Sequence, residues 1–349
     1  HVLGKTLKRG DNVISILPMA HMYGMAFEFI FEFLKGMHIY YLNRVPSPAV
    51  IAQALADVKP RIMIAVPLVI EKIIRKMVFP LIQQRYVHLL LNMPVVNKKI
   101  KARILQQVKD IFGGQLFEMM FGGAGLNREV EDFLRHIGFP LAVGYGTTET
   151  APLITYSDYR DFVRGTCGRV VDNMEIRIAS PDPANVPGEI LTKGPNVLLG
   201  YYKNPEATQA AIDAEGWFHT GDLGTMDADG NVYINGRSKN MLLGSNGQNI
   251  YPEEIEDKLN NMYLVLESLV LEHNGKLHAL VVPDYEQAER EGVDKNDLPQ
   301  IMENNLKELN TVVAGYEHVA AITIYPTEFE KTPKRSIKRY LYAPSLLSK

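Results

Sequence analysis

Two short stretches place oxygen-bearing side chains beside glycines. GYGTTETAP, residues 144–152, sets Gly144 and Gly146 on either side of Tyr145. The hydroxyls of Thr147 and Thr148 and the carboxylate of Glu149 follow at once. Hydroxyls next to a glycine turn can hold phosphate oxygens, and a carboxylate can hold Mg2+ together with phosphate and water. Tyr145 can offer a flat face to a nucleobase. The plainer alternative is an ordinary loop with a capping threonine. In GWFHTGD, Asp222 sits in a tight Gly-Asp turn suited to a bidentate hydrogen bond to a diol such as a ribose; Trp217 and Phe218 read as packing residues.

Three further stretches carry weaker signals. GGAGLN, residues 122–127, is a strand-to-helix turn. Gly123, Ala124 and Gly125 would let the backbone approach a ligand, and a helix N-terminus favours an anion; a tight turn without a ligand accounts for the same residues. Asp227 and Asp229 precede Gly230 in DADGN, but the offsets of a calcium loop are not met and a hairpin turn is the better reading. GSNGQNIYPEEIE, residues 244–256, leads a glycine loop into a helix started by Pro252. Its three glutamates suit the helix dipole and read as structural, not as an acid/base pair. Near the C-terminus, KTPKRSIKRY carries five Lys or Arg in ten residues. It reads as a solvated basic face, a phosphate clamp, or the place of one working lysine.

The elements that must position these residues change texture along the chain. Up to about residue 150, short apolar runs alternate with helical patterns, which predicts parallel βαβ units. The strands are VISILP, HIYYL, RIMIAVP and QLFEMMF; the helices cover about 24–35, 47–57, 68–78 and 80–112. Asn127 caps a helix that Gly138 stops. Beyond 150 come short strands, EIRIAS, PGEILTKG and GNVYING, expected to form an antiparallel barrel or small sheet. Asn204 and Pro205 open one helix within it. From about 238 a small α+β unit follows. It has the helix at Pro252, a hairpin turning at Asn274-Gly275, a helix over about 298–313 and the strand HVAAITIYP.

Composition bounds the function. The 349 residues are 46% hydrophobic and 22% charged, an ordinary globular balance sufficient for two or three domains. A net charge of -3 argues against a surface built for nucleic acid. The single cysteine, Cys167, excludes a disulfide framework within the chain and a Cys-rich zinc site, and fits a reducing cytosol. It reads as a small packed residue. The most apolar window, residues 22–42, contains Glu28, Glu32 and Lys35, so it is no membrane span. It is expected to be an amphipathic helix, with the two glutamates on one face and Phe27, Phe31 and Leu34 turned elsewhere.

Taken in order, GGAG, YGTTE, PGEILTKGPNVLLGYYKNPEAT, GWFHTGD, INGRSKN and NGQNIYPEEIE resemble the successive core motifs of the adenylate-forming superfamily. That superfamily comprises acyl-CoA synthetases, luciferases and peptide-synthetase adenylation domains. The resemblance spans nearly the whole chain, and VPLVIEKIIRKM with its helical insert looks most like the long-chain fatty-acid CoA ligases. It implies an α/β layered fold: the remainder of a large AMP-binding domain over 1–237, with βαβ units over 1–150 and a β-rich, barrel-like region over 151–237, then a small mobile α+β domain over 238–349. It implies ATP, Mg2+, CoA and a fatty acid as the molecules bound, with peripheral membrane contact compatible with such a substrate. Tyr145 would then line the adenine, with Gly123, Ala124 and Gly125 running along it. Thr148 would bond the α-phosphate, Glu149 would hold Mg2+, Asp222 would bind the ribose hydroxyls, and Arg237 would take the ribose or phosphate. Lys239 falls at the hinge position, Gly247 on the pantetheine path, and His21, in LPMAHMYG, beside the acyl site.

Two departures from the family pattern stand out. The Ser/Thr/Gly-rich phosphate loop expected before LPMAH is absent, and the chain starts without Met. The expectation is therefore the C-terminal portion of a longer enzyme, weak or inactive in adenylation by itself. Second, the family ends on a pattern near Lys-Ile-x-Arg, and here the matching residues are Ser336, Ile337, Lys338 and Arg339. Serine brings no charge, and Lys334, two residues earlier, is the candidate substitute. The alternatives are a degenerate nucleotide- or CoA-binding relative, or an enzyme loading a carrier protein.

Overall fold

The computed structural model describes residues 6–42, 48–79, 97–243, 248–332 and 337–342. Residues 1–220 and 225–234 form one compact unit, and 221–224 with 235–349 form a second.

The first unit is built on a five-stranded parallel sheet in the order β2-β1-β3-β4-β5. Its strands are β1 (Asn12–Ser15), β2 (His38–Tyr41), β3 (Ile62–Ala65), β4 (Glu118–Phe121) and β5 (Leu141–Val143). Strands β3, β4 and β5 are buried on both faces, as a parallel sheet covered by helices requires. The connecting helices are α1 (22–35), α2 (Pro48–Val58), α3 (67–78), α4 (Asn97–Ile111) and α5 (Arg128–His136). One face of the sheet packs Ile14, Met63, Met119 and Phe121 against Ile51, Leu55, Ile70 and Phe112. The other packs Val13, Ile62, Ile64 and Met120 against Phe27 and Phe31 of α1. Each fully buried Ile or Phe of this kind contributes about 1.5–3 kcal/mol relative to exposure.

The orientation of α1 meets the sequence expectation only in part: Phe27 and Phe31 face the sheet, but the glutamates turn inward as well and Leu34 turns out. Glu28 and Glu32 are fully buried, while Phe33 and Leu34 are 68% and 77% exposed. The reason is local. Glu28 accepts hydrogen bonds from the Ser15 hydroxyl (3.0 Å) and from the N–H groups of Ile16 (3.2 Å) and Leu17 (2.9 Å), donors left open where β1 ends. A π-helical turn over Ala26–Ile30 carries Glu28 within α1.

The β-rich region contains β6 (Thr155–Tyr156) paired with β7 (Arg169–Val170), and a four-stranded sheet in the order β11-β10-β9-β8. Its strands are β8 (Glu175–Ala179), β9 (Gly188–Lys193), β10 (Phe218–Met226) and β11 (Val232–Arg237). Helix α6 (Pro205–Ala211) is capped by Asn204, whose side chain accepts from Ala207 N at 3.0 Å. Asp227 closes the turn between β10 and β11 by accepting from the N–H groups of Asp229 and Asn231, with Gly230 at φ +81°, so DADGN is a hairpin turn.

In the second unit, β12 (Leu242–Leu243) pairs with β13 (Asn249–Ile250), and helix α7 (Pro252–Asn260) follows. Strands β14 (Val265–His273) and β15 (Lys276–Pro283) form the hairpin. Asn274 and Gly275 both have positive φ, as a two-residue turn of this hand demands. Helices α8 (Tyr285–Glu291) and α9 (Leu298–Val312) precede β16 (Val319–Ile324), which joins β15 in parallel. No helix among the described residues is long and apolar enough to cross a membrane.

Candidate active site

The candidate residues fall in both units.

In the first unit, two glycine turns leave adjacent strands of the parallel sheet at their carboxyl ends, where open α/β sheets bind ligands. After β4 the chain turns through Gly122 and Gly123, the latter at φ +81°. Gly123, Ala124 and Gly125 are exposed, and a Cβ added at Gly125 would meet nothing within 4 Å. Asn127 then starts α5, its side chain accepting from Val130 N at 3.3 Å while its own N–H donates to Glu71 Oε1 at 2.7 Å. Leaving β5, Gly144 N donates to Phe121 O at 2.8 Å, so the second turn runs directly beside the first.

The GYGTTET loop is tightly determined. A Cβ at Gly146 would lie 1.7 Å from Pro152 O, so only glycine fits there. Thr147 and Thr150 cap each other across a short 3-10 turn, with Thr147 N donating to Thr150 Oγ1 at 3.1 Å and Thr150 Oγ1 to Thr147 O at 3.0 Å. Thr150 is buried, so its hydroxyl serves the fold, and Thr147 is shared with it. Thr148 points outward and exposed, with half-buried Glu149 beside it. Tyr145 packs, half-buried, against Ile178, Ile190 and Val232, leaving a partly accessible aromatic body at the loop's start.

Sequence reasoning missed the segment that braces this loop. Asn196 donates from Nδ2 to Thr150 O (2.7 Å) and Leu153 O (2.8 Å), and Leu198 N donates to Glu149 O at 2.8 Å. The Tyr201 hydroxyl donates to Glu149 Oε1 at 3.1 Å. Burial and then the Glu149 charge push the Tyr201 phenol above its ordinary value, so it remains a donor. These residues lie in PNVLLGYYKNPE, and the signal that could have found them is Asn196 and Tyr201 on either side of the apolar run Val197–Leu199.

His21 caps the start of α1, its Nδ1 accepting from Tyr23 N at 3.1 Å. That bond requires the ring proton on Nε2. Tyr23 rises from this turn to Gly122, where a Cβ would lie 2.9 Å from its ring, and its hydroxyl donates to Met120 O at 3.3 Å. His21 is thus linked through Tyr23 to the first glycine turn.

In the second unit, Asp222 is buried and its Oδ1 lies 3.1 Å from Arg237 Nε, the Arg237 side chain being largely exposed. Ser238 N donates to Gly221 O at 2.9 Å, and Asn240 N and Met241 N both donate to Arg237 O at 3.0 Å. Asp222 thus sits inside β10, not in the tight turn the sequence predicts, beside Arg237 at the end of β11, and exposed Lys239 follows in the turn that Arg237 O closes. Gly247, Lys334 and Ser336 lie outside the described residues.

Residues 2–202 match the family described as AMP-binding enzyme. Among curated relatives, the long-chain-fatty-acid–CoA ligase FadD15 of Mycobacterium bovis is 27% identical over 98% of this chain and 62% of its own length. Long-chain-fatty-acid–CoA ligase 1 of Saccharomyces cerevisiae is 28% identical over 88% of this chain and 48% of its own. The chain thus spans about half to three-fifths of these relatives. Among solved structures, a benzoate CoA ligase from Burkholderia xenovorans aligns with a TM-score of 0.73 at 23% identity, covering 96% of this chain and 61% of the other. O-succinylbenzoate CoA synthetase from Bacillus subtilis, solved with ATP and magnesium, aligns at 0.71 and 22% identity, covering 97% and 62%. Ordered glycine turns at the ends of β4 and β5, a braced Thr-Thr-Glu loop and the family match converge: the chain belongs to the AMP-binding enzyme family and has the layered α/β fold of the adenylate-forming superfamily.

Proposed function

We propose that the protein acts as an ATP-dependent acid–thiol ligase, joining a fatty acid to CoA through an acyl-adenylate. The observation that carries this is the Thr148–Glu149 pair, held outward by a loop that Gly146, Thr150 and Asn196 lock in place. Thr148 supplies an exposed hydroxyl for an α-phosphate oxygen. Glu149, oriented by Tyr201, offers the hard oxygen that Mg2+ takes from one carboxylate alongside substrate phosphates. Among the described residues no cluster of three metal-ligating side chains exists, so this one-carboxylate mode is the one that fits. Bound there, the ion would offset charge on the phosphate oxygens. The exposed backbone of Gly123, Ala124 and Gly125, with Tyr145, would line the adenine.

In the first step a carboxylate oxygen of the acid bonds to the α-phosphorus and pyrophosphate leaves with the electrons of the broken P–O bond. In the second the CoA sulfur bonds to the acyl carbon, AMP leaves, and the thiol proton goes to solvent or a base. Long-chain ligases among the relatives support a fatty acid, and 238–349 is proposed as the domain that turns between the steps, about Lys239.

The test is pyrophosphate release by the full natural protein with ATP, Mg2+ and a panel of fatty, aromatic and short acids. Release with long-chain acids is expected; none with any acid overturns the reading. Ser336 favours one alternative, a relative that binds nucleotide without turnover. A large gain in adenylation by Ser336→Lys would support it.

A further inference from the structure

The acidic start of α7 has no role in the chemistry above, yet its three carboxylates hold two segments that do. Glu253 Oε1 accepts from Asn240 Nδ2 at 2.6 Å, one residue past Lys239. Its other oxygen lies over Gly236, where a Cβ would come within 2.9 Å of it. Glu254 Oε1 accepts from Asn235 Nδ2 at 2.6 Å. The hinge segment is therefore gripped on both sides by consecutive glutamates.

The same helix start grips the end of the basic segment. Arg339 Nη2 bonds Glu256 Oε2, Nη1 donates to Val270 O at 3.2 Å, and Nε lies 3.7 Å from Glu253 Oε1. Glu256 Oε1 also accepts from Val270 N at 2.6 Å, so the pair is keyed into β14. The Arg339 and Glu256 side chains are 18% and 10% exposed, so these contacts are little screened by water. On the near side, Lys331 bridges Ile337 through the backbone, Lys338 N donates to Glu330 O at 2.9 Å, and Lys331 Nζ meets Glu267 at 2.7 Å. Lys331 and residues 337–339 are thus tied to each other, and Arg339 to the helix start by a guanidinium fork.

We propose that Arg339 is a positioning residue for adenylation, and that Glu253 and Glu256 are the frame that indexes it to Asn240, next to the proposed hinge Lys239. The inference rests on the acid–thiol ligase reading. Because Glu253 serves Asn240 and Arg339 together, a rotation carried past Lys239 moves the basic segment by the same angle. A lysine replaces the fork only in part, since it presents a point charge where two carboxylate acceptors and a carbonyl are met at once.

The experiment uses Arg339→Gln and Arg339→Lys in the full natural protein, with each half-reaction measured separately. Arg339→Gln is expected to lower the adenylation kcat about 100-fold, as a misplacement near 1 Å does. KM for ATP, and capture of supplied acyl-adenylate by CoA, should stay within about 3-fold. Arg339→Lys should recover some of the rate. Hydrogen exchange should quicken at residues 329–342 in Arg339→Gln while α9 and β15 keep their protection. Equal loss in both half-reactions with general loss of protection would make Arg339 structural and overturn the proposal. No change in either half-reaction of an active parent would also overturn it. If the parent adenylates no acid, the ligase reading fails instead, and exchange alone decides: unchanged exchange at 329–342 refutes the anchoring, and local quickening upholds it.

Discussion

Helices α1 and α7 both bury glutamates, and they treat them in opposite ways. In α7, Glu256 meets a guanidinium and a backbone N–H, Glu253 an asparagine amide, and Glu254 another. In α1, Glu28 collects three donors from the end of β1, but neither oxygen of Glu32 has a hydrogen-bond partner among the described residues. Burial lifts Glu256 to about 7 even against its Arg339 and Val270 partners. Burial, with the neighbouring Glu28 charge, lifts Glu32 further, to about 9. A buried carboxylate is thus a clasp where cations and amides converge on it, and a liability where they do not.

The comparison breaks most visibly at Glu256. Glu256→Ala leaves Arg339 buried without its main partner, and the second unit should lose about 3–5 kcal/mol, read by denaturant unfolding. An unchanged midpoint would mean the pair is no clasp. Glu32→Met should act in the opposite direction. It removes a buried polar group without partners among the described residues, and the first unit should gain about 1–3 kcal/mol at pH 7. Destabilisation there would show that Glu32 has a donor in solution.

The last effect is a slope. Glu28 is raised to about 7, by burial outweighing its three donors, and Glu32 to about 9, both from 4.5. Both carboxyls therefore hold protons more tightly folded than unfolded. The stability they supply is complete below about pH 4.5 and is lost as pH rises through 7 and then 9. The thermal midpoint of the first unit should fall across that window, and Glu32→Gln should flatten its alkaline end. An equal slope in parent and variant would assign the titration to other groups.

Much of this was legible in the amino-acid sequence. Alternating apolar runs and helical patterns announced the parallel sheet, and Asn127, Asn204 and Asn274-Gly275 marked boundaries because caps and turns are local events. Thr148, Glu149 and Asp222 were legible as residue types beside glycines. The inward face of α1 was not. Periodicity says which residues share a face, while the choice of face came from donors on β1, and FEFIFEF gives no sign of them. The bracing of Glu149 by Tyr201 joins positions 52 residues apart, and the α7 clasp joins Arg339 to a helix 83 residues earlier. Neither is visible in local spacing. The PEEIE glutamates were legible as structural, but not as holding Asn235, Asn240 and Arg339.

The glycines of the two turns differ in what they permit a protein engineer. At Gly146 the backbone of Pro152 already fills the space a methyl would need, so selection and design are both closed there. At Gly125 the same methyl would face open space. New bulk along the proposed adenine path can enter the protein at the second position without touching the first, which makes residue 125 the natural place to retune nucleotide preference while the loop that aims Thr148 and Glu149 stays as it is.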